Sequence, residues 1–217
     1  MVLKVLNKKS ETKNTFSLIL EKPKNFNFYP GQYLDIELPV NDPLGNTRAF
    51  TISSSPTEDY LMFTTRKGIS DFKEALEKLK ANDTITTSHP AGTFILDELS
   101  PAVFMAGGIG ITPFRSMIKY AVTNKIKTPI TLIYSNSNNN FLFKKELEGW
   151  QKAYPKLQII YHTSSQHGHL SHIPLPTSHF PIYYLAGSPS FVDDMEKILL
   201  EMGLDETNIR YDRFDGY

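Results

Sequence analysis

Residues 102–113 read AVFMAGGIGITP, and this stretch decides the fold of the second half of the chain. An apolar run typical of a buried strand is followed by three glycines within four residues, and Pro113 stands where a helix can begin. Uncovered backbone N–H groups at such a helix start bind anions. A tight turn that needs glycine for its geometry alone explains the same residues equally well.

Apolar runs and amphipathic segments alternate after this turn, which predicts a parallel sheet with right-handed helical crossovers. We therefore expect an α/β domain over residues 100–217. Its predicted strands are 102–106, 130–134, 157–162, 182–186 and 208–214, and its predicted helices are 113–122, 141–153 and 191–202.

Short strands and turn signals fill the first half of the chain, which predicts a small antiparallel β-barrel over residues 1–99. One helix interrupts the strands, and Ser70 stands at its N-cap position. The predicted strands are 16–20, 32–38, 49–53, 60–65 and 84–87. The segment Leu99-Ser100-Pro101 is the expected join between the two domains.

The composition restricts the classes of function. Among 217 residues, 23 are Lys or Arg and 23 are Asp or Glu, so the excess of basic residues typical of nucleic-acid binding is absent. The absence of cysteine excludes disulfides and a Cys-ligated iron–sulfur cluster within these residues. The N-terminal segment lacks the apolar run of a signal peptide, and we expect no membrane span and a cytoplasmic protein.

The tetrapeptide Arg48-Ala49-Phe50-Thr51 combines a guanidinium, an aromatic ring and a hydroxyl at a strand edge. Arg48 could bind a phosphate through two charge-assisted hydrogen bonds, and Phe50 would project to the same side of the strand. Read alone, the tetrapeptide is more typical of an ordinary strand with a surface arginine and a core phenylalanine.

A second anion site is possible just before the predicted helix, where two cations and a glycine precede the cap. The segment runs from Thr65 through Arg66 and Gly68 to Ser70. A solvated basic turn is an equally good interpretation of this segment alone.

Together these segments resemble the ferredoxin:NADP reductase superfamily, in which an FAD-binding barrel precedes an NAD(P)-binding α/β domain. The resemblance covers nearly the whole chain, and five motifs in the family order are more specific than any one of them. The five are Arg48-Ala49-Phe50-Thr51, Gly68-Ile69-Ser70, Pro90-Ala91-Gly92-Thr93-Phe94, residues 107–113 and Tyr184-Leu185-Ala186-Gly187-Ser188-Pro189.

The resemblance implies a role for each matching residue toward FAD. Arg48, in the motif with Ala49, would bind the pyrophosphate, and Phe50 would stack on the flavin. Thr51 would hydrogen-bond near the reactive nitrogen. Four further residues would line the flavin or contact its phosphates, namely Thr65, Arg66, Gly68 and Ser70.

The resemblance also implies a site for the nicotinamide dinucleotide. Thr112 would share the catalytic position with Thr51. The other expected contacts are Gly107, Gly108, Gly110, Gly187 and Ser188.

Departures from the family pattern bear on the electron donor. Ala186 stands where many members have a cysteine, and Phe50 lacks the hydroxyl of the more common tyrosine. Members that prefer NADPH tend to carry arginine after the second α/β strand, whereas residues 135–138 are uncharged here, and His169 is another position of that kind. Both NADH and NADPH stay open as donors, with NADH slightly favoured.

Two features near the end of the chain have alternative interpretations. Tyr217 could stack over the flavin face that nicotinamide must reach, or could belong to a frayed tail. Five histidines between residues 162 and 179 suggest a metal site, but a polar loop explains them better because they lack metal-ligand spacing. We therefore expect no metal.

The expected protein is a two-domain, FAD-dependent NAD(P)H oxidoreductase that passes electrons to a separate acceptor. That acceptor is a ferredoxin-like or flavodoxin-like carrier, a partner oxygenase or a small molecule such as a quinone or a chelated ferric ion. The alternatives are an electron-transfer subunit of a larger complex and a flavin-binding module without turnover.

Overall fold

A computed structural model describes residues 1–168, 170 and 181–214 of the chain. In its first half, six strands form one antiparallel sheet in the order β4-β3-β6-β1-β2-β5. Helix α1 lies between β5 and β6 in the chain. The bounds are β1 Val2–Thr12, β2 Thr15–Glu21, β3 Tyr33–Glu37, β4 Thr47–Thr51, β5 Tyr60–Arg66, α1 Asp71–Lys78 and β6 Thr84–Thr87.

The two edge strands of this sheet are joined just after β4. The N–H of Ser53 donates to the carbonyl of Met62 on β5 at 2.7 Å, and the N–H of Ser54 donates to the same oxygen. These bonds bring the two edges together, as the predicted barrel requires. The predicted antiparallel class of the first half is confirmed.

The long first strand was missed by the sequence prediction. In β1 only Leu3 and Val5 are buried, and most of its other residues are polar and exposed. Hydrophobic alternation therefore covers only its first part, and its register comes from pairing with β2 and β6. A strand of this kind is specified by its neighbours more than by its own pattern.

The second half forms a five-stranded parallel sheet in the order β11-β10-β7-β8-β9, which confirms the predicted α/β class. Its strands are β7 Ala102–Gly107, β8 Ile130–Asn136, β9 Leu157–Thr163, β10 Ile182–Gly187 and β11 Ile209–Arg213. Its helices are α2 Ile111–Thr123, α3 Lys144–Ala153, α4 Ser164–His167 and α5 Pro189–Glu201.

Helix α3 begins at Lys144, three residues later than the sequence prediction. Phe143 adopts a left-handed backbone with φ 58°, which a helix cannot contain. Phe141 and Phe143 are buried in the core instead of extending the helix. The apolar residues before α3 were therefore mistaken for its first turn.

Strand β7 is buried on both faces, which explains its continuous apolar run. On one face Phe104 stacks on Phe114 of α2, with ring centroids 4.7 Å apart and planes at 16°. On the other face Val103 and Met105 pack into a separate cluster with residues of α5. Because helices cover both sides, the strand needs apolar residues at every position.

Helix α2 is fixed to the first half of the chain by a buried arginine. The guanidinium of Arg115, whose side chain is 1% exposed, donates to the carbonyl of Ser53 at 2.8 Å and to Glu58 Oε2 at 3.0 Å. It also donates to Glu146 Oε1 on α3 at 2.8 Å. The neighbouring Ser116 hydroxyl donates to the carbonyl of Ser54 at 2.6 Å. The segment after β4 is thus bonded directly to α2.

Replacing Arg115 by alanine should lower the free energy of unfolding by about 3–5 kcal/mol, because Glu58 would keep its charge without its partner. Urea unfolding followed by circular dichroism measures the change. Lys119→Ala is the matched control, since it removes a cation one turn later on α2 and should cost less than about 1 kcal/mol. Equal losses for both variants would contradict a special role for Arg115.

Because Arg115 pairs with Glu58, the difference in free energy of unfolding between wild type and Arg115→Ala should depend on pH. Burial alone would raise the pKa of Glu58, but the hydrogen bond and charge of Arg115 outweigh it, so this pKa lies below its ordinary value. A carboxyl with a depressed pKa stabilises the fold at neutral pH, and this contribution disappears as the pH falls through the folded-state pKa. The stability gap between wild type and Arg115→Ala should therefore narrow from about pH 7 to about pH 3.

Candidate functional site

A cleft of about 310 Å³ lies where the end of β4 meets the start of α2 and the end of β11. We call it the interdomain cleft. The first half of the chain contributes Tyr33, Arg48, Ala49, Phe50, Thr51, Thr64 and Lys73 to its walls, and the second half contributes Thr112, Asp212, Arg213 and Phe214. Neither half forms this cleft alone.

Arg48 lies at the interdomain cleft with its guanidinium held in one orientation. Its Nη1 donates to three backbone carbonyls at 2.8–2.9 Å, those of Leu44, Gly45 and Thr47. A guanidinium held in this way has lost its side-chain entropy before a ligand arrives. The guanidinium of this strand arginine is therefore held by the protein on the side where it faces the interdomain cleft.

Asp42 completes the environment of Arg48. Its Oδ1 pairs with Arg48 Nη2 at 2.8 Å, and its Oδ2 accepts the N–H of Phe72 in the first turn of α1 at 3.0 Å. The backbone hydrogen bonds from Phe72 and Leu44 lower the pKa of Asp42, and the charge of Arg48 adds to this effect. One carboxylate therefore ties the arginine to the positive end of α1.

Phe50 lines the interdomain cleft, but most of its ring is packed. Only 9% of the residue is exposed, and its ring stacks on Phe72 with centroids 6.2 Å apart and planes at 19°. Phe63 contacts the ring at a centroid distance of 5.2 Å. The sequence left open whether Phe50 is a core residue or a ligand-facing ring. In the structure Phe50 is mostly buried and also lines the cleft.

Thr51, Thr112 and Phe214 come from three different elements and line the same cleft. The Thr112 hydroxyl donates to the carbonyl of Ile109 at 3.2 Å, and the N–H of Phe214 donates to the carbonyl of Gly187 at 2.9 Å. The two threonines expected at the catalytic position are therefore brought to one place.

Phe214 is an aromatic residue of this cleft that the sequence analysis did not select. The analysis placed a terminal aromatic at Tyr217, which lies outside the described residues, as does His169. A signal for Phe214 was nevertheless present, because it directly follows β11. The carboxyl ends of parallel strands share one edge of the sheet, and Thr112 follows β7 at that edge.

A second cleft, of about 300 Å³, lies at the carboxyl ends of β7 and β8, and we call it the glycine cleft. Among the described residues, one charged side chain contributes to its walls, that of Arg66, which reaches it from the first sheet. The remaining walls are Gly107, Gly108, Ile109, Ser135, Asn136, Ser137, Ser188 and Phe191. This is the edge where α/β proteins bind nucleotides.

Two glycines of the turn after β7 are required by packing. Gly108 has φ +55°, and a Cβ there would lie 2.7 Å from Nη2 of Arg66. A Cβ at Gly110 would lie 2.1 Å from the carbonyl oxygen of Ala186 on β10. The backbone of β10 therefore fills the space next to Gly110, and contact between Gly110 and the dinucleotide stays a prediction.

Three other expected residues surround Lys73 and are absent from the walls of both clefts. Ser70 caps α1, with its hydroxyl accepting the N–H of Lys73 at 3.3 Å. Thr65 is buried and accepts a hydrogen bond from Lys73 Nζ at 2.6 Å, and the neighbouring Thr64 lines the interdomain cleft instead. A Cβ at Gly68 would lie 3.1 Å from Cγ of Lys73.

Lys73 itself was missed, because a lysine on an amphipathic helix is usually solvated. Here its ammonium lies 5.1 Å from the ring centroid of Phe50 and lines the interdomain cleft. Burial lowers the pKa of Lys73, and the charges of Arg48 and Arg66 add to this effect. Together they bring the pKa to about 8. Fixed cations, hydroxyls and aromatic walls together suit a flat aromatic ligand that carries phosphate.

Metal and membrane functions receive no support from the described residues. Across residues 1–168, 170 and 181–214, no three His, Cys, Asp or Glu side chains are grouped so that they could hold a metal ion. Most of the predicted histidine-rich loop lies outside that range. None of the helices within the described part of the chain has the length and apolar character that crossing a membrane requires.

Two family models match the chain in the order of its two sheets. Residues 1–110 match an FAD-binding domain, and residues 104–197 match an oxidoreductase NAD-binding domain.

Curated relatives include a flavohemoprotein of Bacillus subtilis, which is 28% identical over 97% of this chain and 58% of its own length. The toluate 1,2-dioxygenase electron transfer component of Pseudomonas putida is 27% identical over 86% of this chain and 59% of its own length. The chain thus spans a little over half the length of these relatives.

Solved structures with the same fold match almost end to end. The flavohem-like FAD/NAD binding domain of nitric oxide dioxygenase from Vibrio cholerae has a TM-score of 0.82 at 21% identity, covering 98% of each chain. Ferredoxin-NADP+ reductase from Plasmodium falciparum also has a TM-score of 0.82 at 21% identity, covering 98% of this chain and 95% of its own.

Gly110→Ala should lower the free energy of unfolding by about 1–3 kcal/mol, because the new methyl group collides with the backbone of β10. Gly149→Ala is the matched control. Gly149 lies exposed on α3 with open space around its Cβ position, so alanine should raise stability by about 0.5–1 kcal/mol. Thermal unfolding measures both, and a Gly110→Ala protein as stable as wild type would contradict the packing role.

Proposed function

Because this chain belongs to the ferredoxin:NADP reductase superfamily, we propose that it is an FAD-dependent reductase that takes electrons from NADH or NADPH and passes them to a separate acceptor. Within it, residues 1–99 form the FAD-binding unit and residues 100–217 form the NAD(P)-binding unit. The division into an antiparallel and a parallel sheet supports these boundaries. Bound FAD supplies the redox chemistry, accepting hydride from nicotinamide and releasing electrons onward.

The observation that carries this proposal is the meeting of Thr51, Thr112 and Phe214 in the interdomain cleft. A hydroxyl from the first sheet and the start of α2 from the second half lie at one place, beside an aromatic ring. Such a site can hold a flavin on one side and receive a nicotinamide from the other. Positioning of the two cofactors is the main contribution that the protein makes to hydride transfer.

The first half of the chain provides the FAD contacts in this proposal. Arg48 binds the pyrophosphate with its already oriented guanidinium, and Phe50 and Phe214 form the aromatic walls for the flavin ring. The hydroxyl of Thr51 would donate a hydrogen bond near the reactive nitrogen of the flavin ring. Five residues act at the edges of this site, namely Ala49, Thr65, Arg66, Gly68 and Ser70.

The glycine cleft provides the dinucleotide contacts. Ser188 is the N-cap of α5 and Gly107 ends β7, so a helix N-terminus lies beside the glycine turn and can attract phosphate. Thr112 lies at the nicotinamide end, in the interdomain cleft. Gly108, Gly110 and Gly187 complete the set by allowing close packing of the turn.

NADH is the donor that we propose, because the described residues of the glycine cleft near β8 are uncharged. Ser135, Asn136 and Ser137 offer hydrogen bonds but no positive charge for a 2′-phosphate. The cation of that cleft, Arg66, approaches from the opposite side, over Gly108.

The electron acceptor that we propose is a separate redox protein or a small molecule. Relatives are named as a dioxygenase electron transfer component and as a dioxygenase reductase component, which supports a partner oxygenase. These 217 residues contain no cysteine, so they cannot hold a Cys-ligated cluster. Any such centre would have to lie outside them.

Thr51→Ala should slow the reduction of bound FAD by NADH roughly tenfold to a hundredfold, because one hydrogen bond to the reacting ring is lost. Anaerobic stopped-flow absorbance at saturating NADH measures this rate, and FAD affinity should change by less than about threefold. Thr47→Ala, an exposed position on the same strand, is the control, and Thr51→Ser should restore the rate. A purified protein that binds no added FAD would sink the proposed function. FAD that neither NADH nor NADPH bleaches would indicate a flavin-binding module without turnover.

Ser137→Arg should strengthen NADPH binding about tenfold while leaving NADH binding nearly unchanged, because it adds a cation for the 2′-phosphate. Titration of the FAD-loaded protein with NADP+ and with NAD+ gives both dissociation constants. Asn124→Arg adds the same charge at the far end of α2 and should change neither. A wild-type protein that already prefers NADPH would contradict the donor assignment.

A further inference from the structure

We propose that Lys73 is a phosphate-binding residue, and that its ammonium joins Arg48 in holding the pyrophosphate of FAD. This assignment rests on the proposed FAD site and adds to it a residue that no family motif of the chain contains.

Lys73 and Arg48 each contact one ring of a stacked pair of phenylalanines. The Arg48 guanidinium lies 5.1 Å from the ring centroid of Phe72, and the Lys73 ammonium lies 5.1 Å from that of Phe50. The two rings stack with centroids 6.2 Å apart. Both cations line the interdomain cleft, so one diphosphate can contact both.

The path of the Lys73 side chain is determined by the residues around its stem. Gly68 leaves room for the stem, since a Cβ there would lie 3.1 Å from Cγ of Lys73. The ammonium donates to Thr65 Oγ1 at 2.6 Å. This lysine is therefore directed toward the cleft, whereas Lys78 on the same helix is exposed and paired with Glu74.

The charges around Lys73 favour an anion. Arg48 on β4 and Arg66 on β5 both disfavour its charged form, and burial does so more strongly. The other ionisable groups of the cleft are Tyr33 on β3 and Asp212 and Arg213 on β11. Asp42 pairs with Arg48 at 2.8 Å and offsets part of this positive charge. A pyrophosphate, which carries two negative charges, would offset the repulsion that remains at Lys73.

This environment makes FAD affinity depend on pH. The pKa of Lys73 is lowered to about 8, so the ammonium is charged below that pH and becomes neutral above it. A bound phosphate favours the charged form and raises this pKa, so FAD binding takes up a proton at higher pH. Affinity should therefore be highest below about pH 8 and should fall as the pH rises further.

The test measures FAD dissociation constants of the apoprotein by fluorescence titration. Lys73→Met should raise the constant about tenfold or more, and Lys73→Arg should stay within about threefold of wild type. Lys78→Met is the matched control and should leave affinity unchanged. Riboflavin, which lacks phosphate, should bind Lys73→Met and wild type equally.

The pH dependence supplies a measurement that does not rely on comparing variants of unequal stability. From about pH 7 to about pH 9.5, the FAD dissociation constant of wild type should rise several-fold, whereas that of Lys73→Arg should stay level because arginine keeps its charge. A pH dependence of the same size in Lys73→Arg would show that another group causes it and would overturn the proposal.

Two further outcomes would overturn the assignment while leaving the proposed function intact: an unchanged FAD constant in Lys73→Met, or an equal loss of FAD and riboflavin affinity. If wild type binds no FAD, the proposed function fails, and inorganic pyrophosphate then serves as the probe. Weaker pyrophosphate binding by Lys73→Met than by Lys78→Met would still support Lys73 as a phosphate ligand. Equal binding would reject it.

Discussion

The buried guanidinium of Arg115 is the interaction on which the arrangement of both clefts depends. It joins the carbonyl of Ser53, two residues after Thr51, to the helix that begins beside Thr112. A charge with 1% side-chain exposure must keep its partners, because leaving it unpaired costs several kcal/mol. The buried contacts of Arg115 therefore determine the distance between the end of β4 and the start of α2. This ion pair stabilises the geometry of the interdomain cleft without being part of its walls.

The same principle, a charge that must be satisfied, operates with less burial at the surface of the interdomain cleft. Asp42 offsets Arg48 and holds it against α1, while Lys73 rests on the ring of Phe50 and on the hydroxyl of Thr65. Cations that are fixed by neutral or already engaged partners retain a strong attraction for a multivalent anion. Because their orientation is fixed in advance, little side-chain entropy remains to be lost when a phosphate binds.

The sequence alone predicts both sheet classes. Apolar residues alternate with polar ones where one face of a strand is buried, as in the first half, and form continuous runs where both faces are buried, as in the second half. The family resemblance, and not the strand pattern, assigned Thr51 and Thr112 to one site, and both line the interdomain cleft. The sequence prediction failed where contacts with distant residues determine the structure. Strand β1 has few buried residues, and the left-handed backbone of Phe143 delays the start of α3. Lys73 was missed because only its neighbours on other elements distinguish it from a solvated lysine.

Gly108 of the glycine cleft lies against a cation of the first sheet, and its backbone angle favours glycine. Its backbone is left-handed at φ +55°, and Arg66 from the first sheet packs where a Cβ would stand. Arg66 also lines the glycine cleft and lowers the pKa of Lys73 at the interdomain cleft, so its charge acts on both. A phosphate bound in either cleft would offset part of the positive charge of Arg66 and so change the electrostatic potential in the other cleft. The two proposed cofactor sites are therefore coupled electrostatically at Arg66, in addition to the mechanical link that Arg115 provides.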